Sequence, residues 1–228
     1  MLVQLLTSTP DPEQVVAAAA RLCYADASIA ELLGQAPEQA DRLLGKIMEL
    51  GHFSVLEHAS FTYGIEGVSR SCSHQLVRHR IASFSQQSQR YVPHDQPFPV
   101  IIPATISEHP ELLPRFAAHM QDTHELYRDL MNAGVPAEDA RFVLPNAAAT
   151  KLVMTMNARE LHHFFELRCC RRSQWEIQAM AREMLRLARQ AAPRLFSEAG
   201  PGCLRAACPE GPMTCGASRK VREEYAKL

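Results

Sequence analysis

The chain has 228 residues, 46% of them apolar and 21% charged, which suits one sizeable hydrophobic core and excludes a disordered chain. A formal net charge of -1 excludes a global field able to hold a polyanion, so any anion site must be a local cluster of Arg and His. No apolar run approaches the ~20 residues needed to cross a bilayer.

Residues 1–6 read as a short strand, and 12–25 as a helix with Asp11 as cap and alanines through its middle. Pro37–Leu50 reads as a second helix, with proline in the first turn where it gives up no intrahelical bond. A polar turn is expected next. Residues 59–66 then alternate as a strand that places Phe61, Tyr63 and Ile65 on one face. Helical spacing covers 69–80, followed by an irregular stretch to Ser88 and a proline-rich segment, YVPHDQPFPVIIPA, that excludes a regular helix. A long amphipathic helix is expected over 108–134, started near Pro110 and stopped by Asn132 and Gly134, then a short helix over 137–144. A strand over 150–156 precedes helices over 159–168 and 174–195, the second with Trp175 as a core residue. With no repeat and no dividing linker, the pattern predicts one α+β domain over 1–228, helices packed on a mainly antiparallel sheet, with a loop-like tail from about 199.

The start, MLVQLLTSTPDPEQ, has no basic region and no cleavage signature, so a cytoplasmic protein is expected. Seven cysteines, an odd count, argue against a disulfide framework. Cys203, Cys208 and Cys215, with Cys169 and Cys170, could supply a tetrahedral zinc site. The spacing matches no standard knuckle, and the expectation is thiols with no metal.

The densest chemistry is RHRIASFSQQSQRY, residues 78–91. On a helix, Gln75, Arg78 and His79 would share one face, leading into a loop of serines and glutamines. Arginine forks grip phosphate oxygens, while Ser and Gln satisfy the edges of a planar heterocycle. A solvated basic helix end is the better reading of a bare RHR triplet; the full string is more specific. It resembles the signature of the flavin-dependent thymidylate synthases: the RHR triplet Arg78, His79, Arg80, then Ser88 after a seven-residue spacer, then Arg90 and Tyr91. GHFSVLEH is similar to a family loop, filled here by His52, Ser54, Glu57 and His58. ARFVLP and NARELHHFFELRCCRRSQWEI are similar to two further family segments, so ordered matches run from about 51 to 177.

The resemblance implies conversion of dUMP to dTMP with methylenetetrahydrofolate as carbon donor, NADPH as reductant and FAD carrying the hydride. It implies dUMP contacts at Gln75, Arg78, Gln86, Gln87, Ser88, Gln89, Arg90, Arg141 and Arg168. It implies FAD contacts at Ser54, Glu57, Arg78, His79, Arg80, Ile81, Ser85, Gln86, Asn157, Arg159, His163 and Leu167. Arg168, His52 and Ser88 are the positions it points to for catalysis, Ser88 reading better as a ligand contact than as a nucleophile. A homotetramer with sites shared between subunits is implied, with no nucleic-acid or membrane partner. Family members often carry Asn and Glu where this chain has Ser85 and Gln86, and Gly where it has Gln89. Gln86 can hydrogen-bond a nucleotide but cannot act as a carboxylate.

Overall fold

Among the described residues, four strands carry the architecture: β1 (Leu2–Ser8), β2 (Ser60–Ser69), β3 (Ser83–Gln86) and β4 (Ala149–Asn157), hydrogen-bonded as an antiparallel sheet in the order β1-β2-β4-β3. The computed structural model describes residues 1–93 and 97–228; residues 94–96, inside the proline-rich segment expected to be irregular, lie outside the described residues. The alternation read in β2 is present, with Phe61, Tyr63 and Ile65 fully buried. β4 alternates in the same way through Thr150, Leu152, Met154 and Met156. β3, an edge strand of only Ser, Phe and Gln, alternates between exposed and half-buried positions. It lies in the stretch expected to be irregular. A short polar strand carries no hydrophobic period, and its pairing partner is distant in sequence.

Helices α1 (Pro12–Leu22), α2 (Ile29–Leu33) and α3 (Pro37–Leu50) precede β2. α4 (Arg70–Leu76) follows it, and α5 (Ala104–Ser107), α6 (Leu113–Asn132) and α7 (Ala137–Ala140) come before β4. α8 (Ala158–Arg168), α9 (Trp175–Ala191) and α10 (Ser218–Tyr225) complete the chain. Among the described residues, no helix is long and apolar enough to cross a membrane.

The chain divides into two units, each drawn from separated segments. The first comprises residues 1–2, 65–78 and 84–153. In it, the Ser69 hydroxyl caps α4 by accepting from the Cys72 amide at 3.0 Å. α6 buries only Met120, His124 and Tyr127, spaced i, i+4 and i+7 as one stripe against the unit's core. Its start is three residues beyond Pro110, because Pro114 is the proline in the first turn.

The second unit comprises residues 3–64, 79–83 and 154–228. α8 packs on α9 and on a short 3-10 turn, Phe53–His58, held down by fully buried Leu56. α9 buries Ile177, Met180, Ala181, Met184, Leu185 and Ala188, the apolar stripe of a core helix. Each such fully buried large side chain contributes about 1.5–3 kcal/mol. Trp175, expected in the core, is instead 45% exposed at the first position of α9, where the helix has not yet reached its buried face. The tail is more ordered than expected: Arg189 donates to the Tyr225 and Ala199 carbonyls at 2.8 and 3.1 Å, fastening α10 to α9.

Candidate active site

α4 ends at Leu76, so Arg78, His79 and Arg80 leave the helix, and Arg78 and His79 do not share the face expected with Gln75. The consequence is a split in direction. Arg78 and Arg80 are exposed, while His79 between them is 5% exposed.

In the first unit, the loop after β3 is built by its own side chains. The Ser88 hydroxyl accepts from the backbone amides of Arg90 at 3.1 Å and Tyr91 at 3.3 Å, closing a serine turn. That bonding suits a turn-holding residue that can still donate its proton to a ligand. Gln86 donates through Nε2 to the hydroxyls of Ser73 and Thr150, both at 3.1 Å, tying β3 to α4 and β4. The Ser73 hydroxyl in turn donates to the Arg70 carbonyl at 3.1 Å. The Gln87 amide pairs with the Lys151 carbonyl at 3.0 Å. Arg90 and Arg141 are brought together on Glu138: Arg90 pairs with its carboxylate, and Arg141 Nε donates to its carbonyl at 3.0 Å. Gln75 is half-buried, its amide reaching the Ser71 carbonyl at 3.4 Å. Ser85 is exposed on β3, and Gln89 is half-buried in the loop.

In the second unit, the Asn157 side chain caps α8, accepting from the Glu160 amide at 2.9 Å. The helix then sorts its residues into stripes by i, i+4 spacing. Arg159, His163 and Leu167 form the exposed stripe. All three are expected flavin contacts, and they lie in line. Arg159 pairs with Glu57, another expected flavin contact, so those two neutralise each other in part. Arg159 also lines a cavity of about 800 Å3 together with His52, Ser54, Lys46, Leu50 and Tyr24. Ile81 is 68% exposed, an apolar side chain left uncovered.

The neighbouring stripe is Glu160, Phe164 and Arg168, and buried His79 packs on it. His79 Nε2 receives a hydrogen bond from Arg168 Nε at 3.0 Å, and its Nδ1 stands 3.4 Å from Glu160 Oε1. The rings of His79 and Phe164 meet edge to face with centroids 5.0 Å apart. Burial lowers the His79 pKa to about 4, with the positive charges of Arg168 and His163 adding to the effect. Burial also raises the Glu160 carboxyl, opposed by His163. At neutral pH the imidazole is therefore uncharged and serves as a hydrogen-bond connector.

Residues 4–194 match the sequence profile of the family described as thymidylate synthase complementing protein. The chain belongs to that family. It is similar to the flavin-dependent thymidylate synthase of Geobacter sulfurreducens, 57% identical over 230 residues with 100% of this chain and 99% of that one covered. Similarity extends to the enzymes of that name from Nitratidesulfovibrio vulgaris, 49% identical with 94% of each chain covered, and Clostridium tetani, 45% identical with 98% and 96% covered. For this member of the thymidylate synthase complementing protein family, sequence reasoning missed Glu138, Ser73, Thr150 and Glu160 as partners of the motif residues. Asn157-x-x-Glu160 has the spacing of a helix cap box, which was the available signal. Yet the Glu160 side chain turns to His79 and does not reach back to the cap.

The adjacent cysteines diverge. Cys169 is buried, its thiol pushed up to about 12 chiefly by burial, and Tyr225 donates to its carbonyl at 3.0 Å. Cys170 lines a cavity of about 120 Å3 with Cys203, Cys208 and Cys215. Among the described residues, no group of three or more His, Cys, Asp or Glu is arranged to hold a metal ion.

Proposed function

We propose that this protein converts dUMP to dTMP, taking its carbon from methylenetetrahydrofolate and its reducing equivalents from NADPH, with FAD as cofactor. It is an enzyme of the flavin-dependent thymidylate synthase kind. The observation that carries the reading is the α8 surface: Arg159, with His163 and Leu167 along the same exposed stripe, stands on a cavity of about 800 Å3 shared with His52 and Ser54. The donor set fits a flavin dinucleotide. Leu50, Ile47 and Tyr24 give the cavity apolar walls for a ring system, while Arg159, Lys46, Ser54 and His52 give it cationic and neutral donors for a diphosphate and a ribose.

In the second unit, Ser54, Glu57, His79, Arg80, Ile81, Asn157, Arg159, His163 and Leu167 are the residues proposed to hold the flavin, and in the first, Arg78, Ser85 and Gln86. When bound, FAD would supply hydride chemistry that the protein's own side chains cannot. Arg78, Arg90 and Arg141 would grip the nucleotide phosphate, with Gln75, Gln86, Gln87, Ser88 and Gln89 meeting its sugar and base. Arg168 would stabilise the negative charge that develops on the uracil when carbon 5 becomes nucleophilic, so no covalent enzyme nucleophile is required. His52, exposed beside the cavity, is the group proposed to meet the folate. A homotetramer completes the proposal.

Visible absorption of the FAD-reconstituted protein during titration with dUMP tests this reading. A saturable shift of the flavin band with dUMP but not with uridine is expected, together with dTMP formed only when methylenetetrahydrofolate and NADPH are present. Protein that retains no flavin and shows no response to dUMP would overturn it.

A further inference from the structure

Three polar groups of the second unit stand in a row: Glu160, His79 and Arg168. An arginine side chain only donates hydrogen bonds, so the His79 Nε2 that receives Arg168 Nε at 3.0 Å must present a lone pair. An uncharged imidazole with a bare Nε2 carries its proton on Nδ1. Glu160 Oε1 stands 3.4 Å from that nitrogen. Glu160 is 7% exposed and His79 5%, so water competes little for either partner. The edge of His79 is also fixed by Phe164, one turn along the same stripe.

We propose that Glu160 is a positioning residue for the synthase reaction: by accepting the Nδ1 proton of His79 it imposes the tautomer whose Nε2 can receive Arg168, and so sets the direction of the Arg168 guanidinium. The chain of cause runs from a carboxylate that touches no substrate, through one ring, to the cation. Without an acceptor at 160, the Nδ1 proton is left unpaired in a buried site and only Arg168 still favours that tautomer; whenever the proton moves to Nε2, the ring confronts Arg168 with a donor. Two donors cannot share that contact, so the guanidinium turns away. Glutamine at 160 still offers an acceptor oxygen; alanine offers none. The proposal rests on the reading that Arg168 faces dUMP.

The test measures dUMP affinity, from the flavin absorption shift, and the kcat and KM of dTMP formation, for Glu160→Ala, Glu160→Gln, Arg168→Ala and Glu160→Ala combined with Arg168→Ala. Glu160→Ala is expected to weaken dUMP binding about tenfold or more, the scale of a hydrogen bond to a charged group. Glu160→Gln should recover most of that loss. In the Arg168→Ala background, Glu160→Ala should add almost nothing, because its effect passes through a group already removed. Equal weakening in both backgrounds, or full dUMP affinity in Glu160→Ala, would overturn the proposal. Should Glu160→Ala not retain flavin, His79→Asn carries the same test: its amide can donate toward Glu160 but is too short to set its oxygen where Nε2 stood, so Arg168 loses its acceptor, and the same loss of dUMP affinity is expected. Wild-type affinity in His79→Asn would likewise overturn the proposal. Unchanged dUMP affinity and turnover in Arg168→Ala would sink the underlying reading of Arg168 instead.

Discussion

One histidine packs against α8 and another projects from the helix on its other side, and both are nearly inaccessible: His79 is 5% exposed and His162 is 4% exposed. Burial is the leading cause that lowers each to a pKa of about 4. They differ in what surrounds them. His162 is stacked between the rings of Phe53 and Phe196, with centroids 5.7 and 5.4 Å away, and its Nε2 donates to the Leu195 carbonyl at 2.8 Å. Its Nδ1 has no hydrogen-bond partner among the described residues. It is an aromatic plate with one polar tether. His79 uses both ring nitrogens, has charged side chains at each, and carries the opposite tautomer. The same residue type, equally buried and equally neutral, is thus a core filler on one side of a helix and a polar connector on the other. A depressed pKa alone does not separate the two; the partners do.

The comparison breaks most severely at Arg168. Replacement by alanine should lower kcat/KM for dUMP by about two to three orders of magnitude, the cost of removing one donor to developing charge. Thermal melting should move little. A variant that kept wild-type turnover would remove the functional half of the contrast. On the opposite face, His162→Ala should cost about 3 kcal/mol of stability, read in chemical denaturation, because an aromatic plate is deleted from a packed stack. The dTMP turnover of the protein that remains folded should be unchanged, and a turnover loss matching that of Arg168→Ala would show the two faces to be one system.

The pH dependence sharpens the contrast further. Both folded-state values, about 4, lie below the ordinary 6.5. As pH falls, the unfolded chain takes up these protons first, so stability is lost between about 6.5 and 4 and is level above that window. For His162 the loss amounts to roughly 3 kcal/mol. Melting temperatures followed through this range should fall steeply in the wild type and less steeply in His162→Phe, which keeps the stack and has no proton to gain. Identical slopes would assign the loss to other groups. The smallest stability effect is expected at Arg159: its exposed pair with Glu57 is worth less than about 1 kcal/mol. Arg159→Ala should therefore leave stability intact while weakening FAD binding about tenfold, measured by equilibrium titration of the apoprotein.

Where an element's own residues declare a period, the sequence was sufficient. β2 shows this through Phe61, Tyr63 and Ile65, and α3 through Pro37 at its start, with bounds matching the reading at both ends. The motif residues were legible as a set, but their directions were not. Helical spacing over 69–80 put Arg78 and His79 on one face, whereas α4 closes at Leu76, leaving Arg78 exposed and His79 buried. Local propensity cannot say where tertiary contacts end a helix. β3 was invisible because its stabilising bonds, Gln86 to Ser73 and Thr150, come from residues remote in sequence. In sequence alone, Glu160 and His163 at i, i+3 are equally a solvated pair on a helix surface. Only the packing of His79 against the Glu160 stripe shows that carboxylate to be buried.

The resemblance read from the sequence puts Gln86 at a position expected to hold glutamate, and the bonding of Gln86 changes what that exchange means. The single proton of Ser73 is directed at the Arg70 carbonyl, so toward Gln86 that hydroxyl can only accept, which fixes the amide with its nitrogen turned inward. Both hydrogens of the amide are then occupied by Ser73 and Thr150. What remains to face a ligand is a carbonyl oxygen alone. Chemically it offers the lone-pair character of a carboxylate without its charge, and the complement of such a face is a ring nitrogen bearing hydrogen. Uracil has one at position 3 and cytosine does not, so in the proposed dUMP site a neutral side chain here would retain a means to tell the two bases apart.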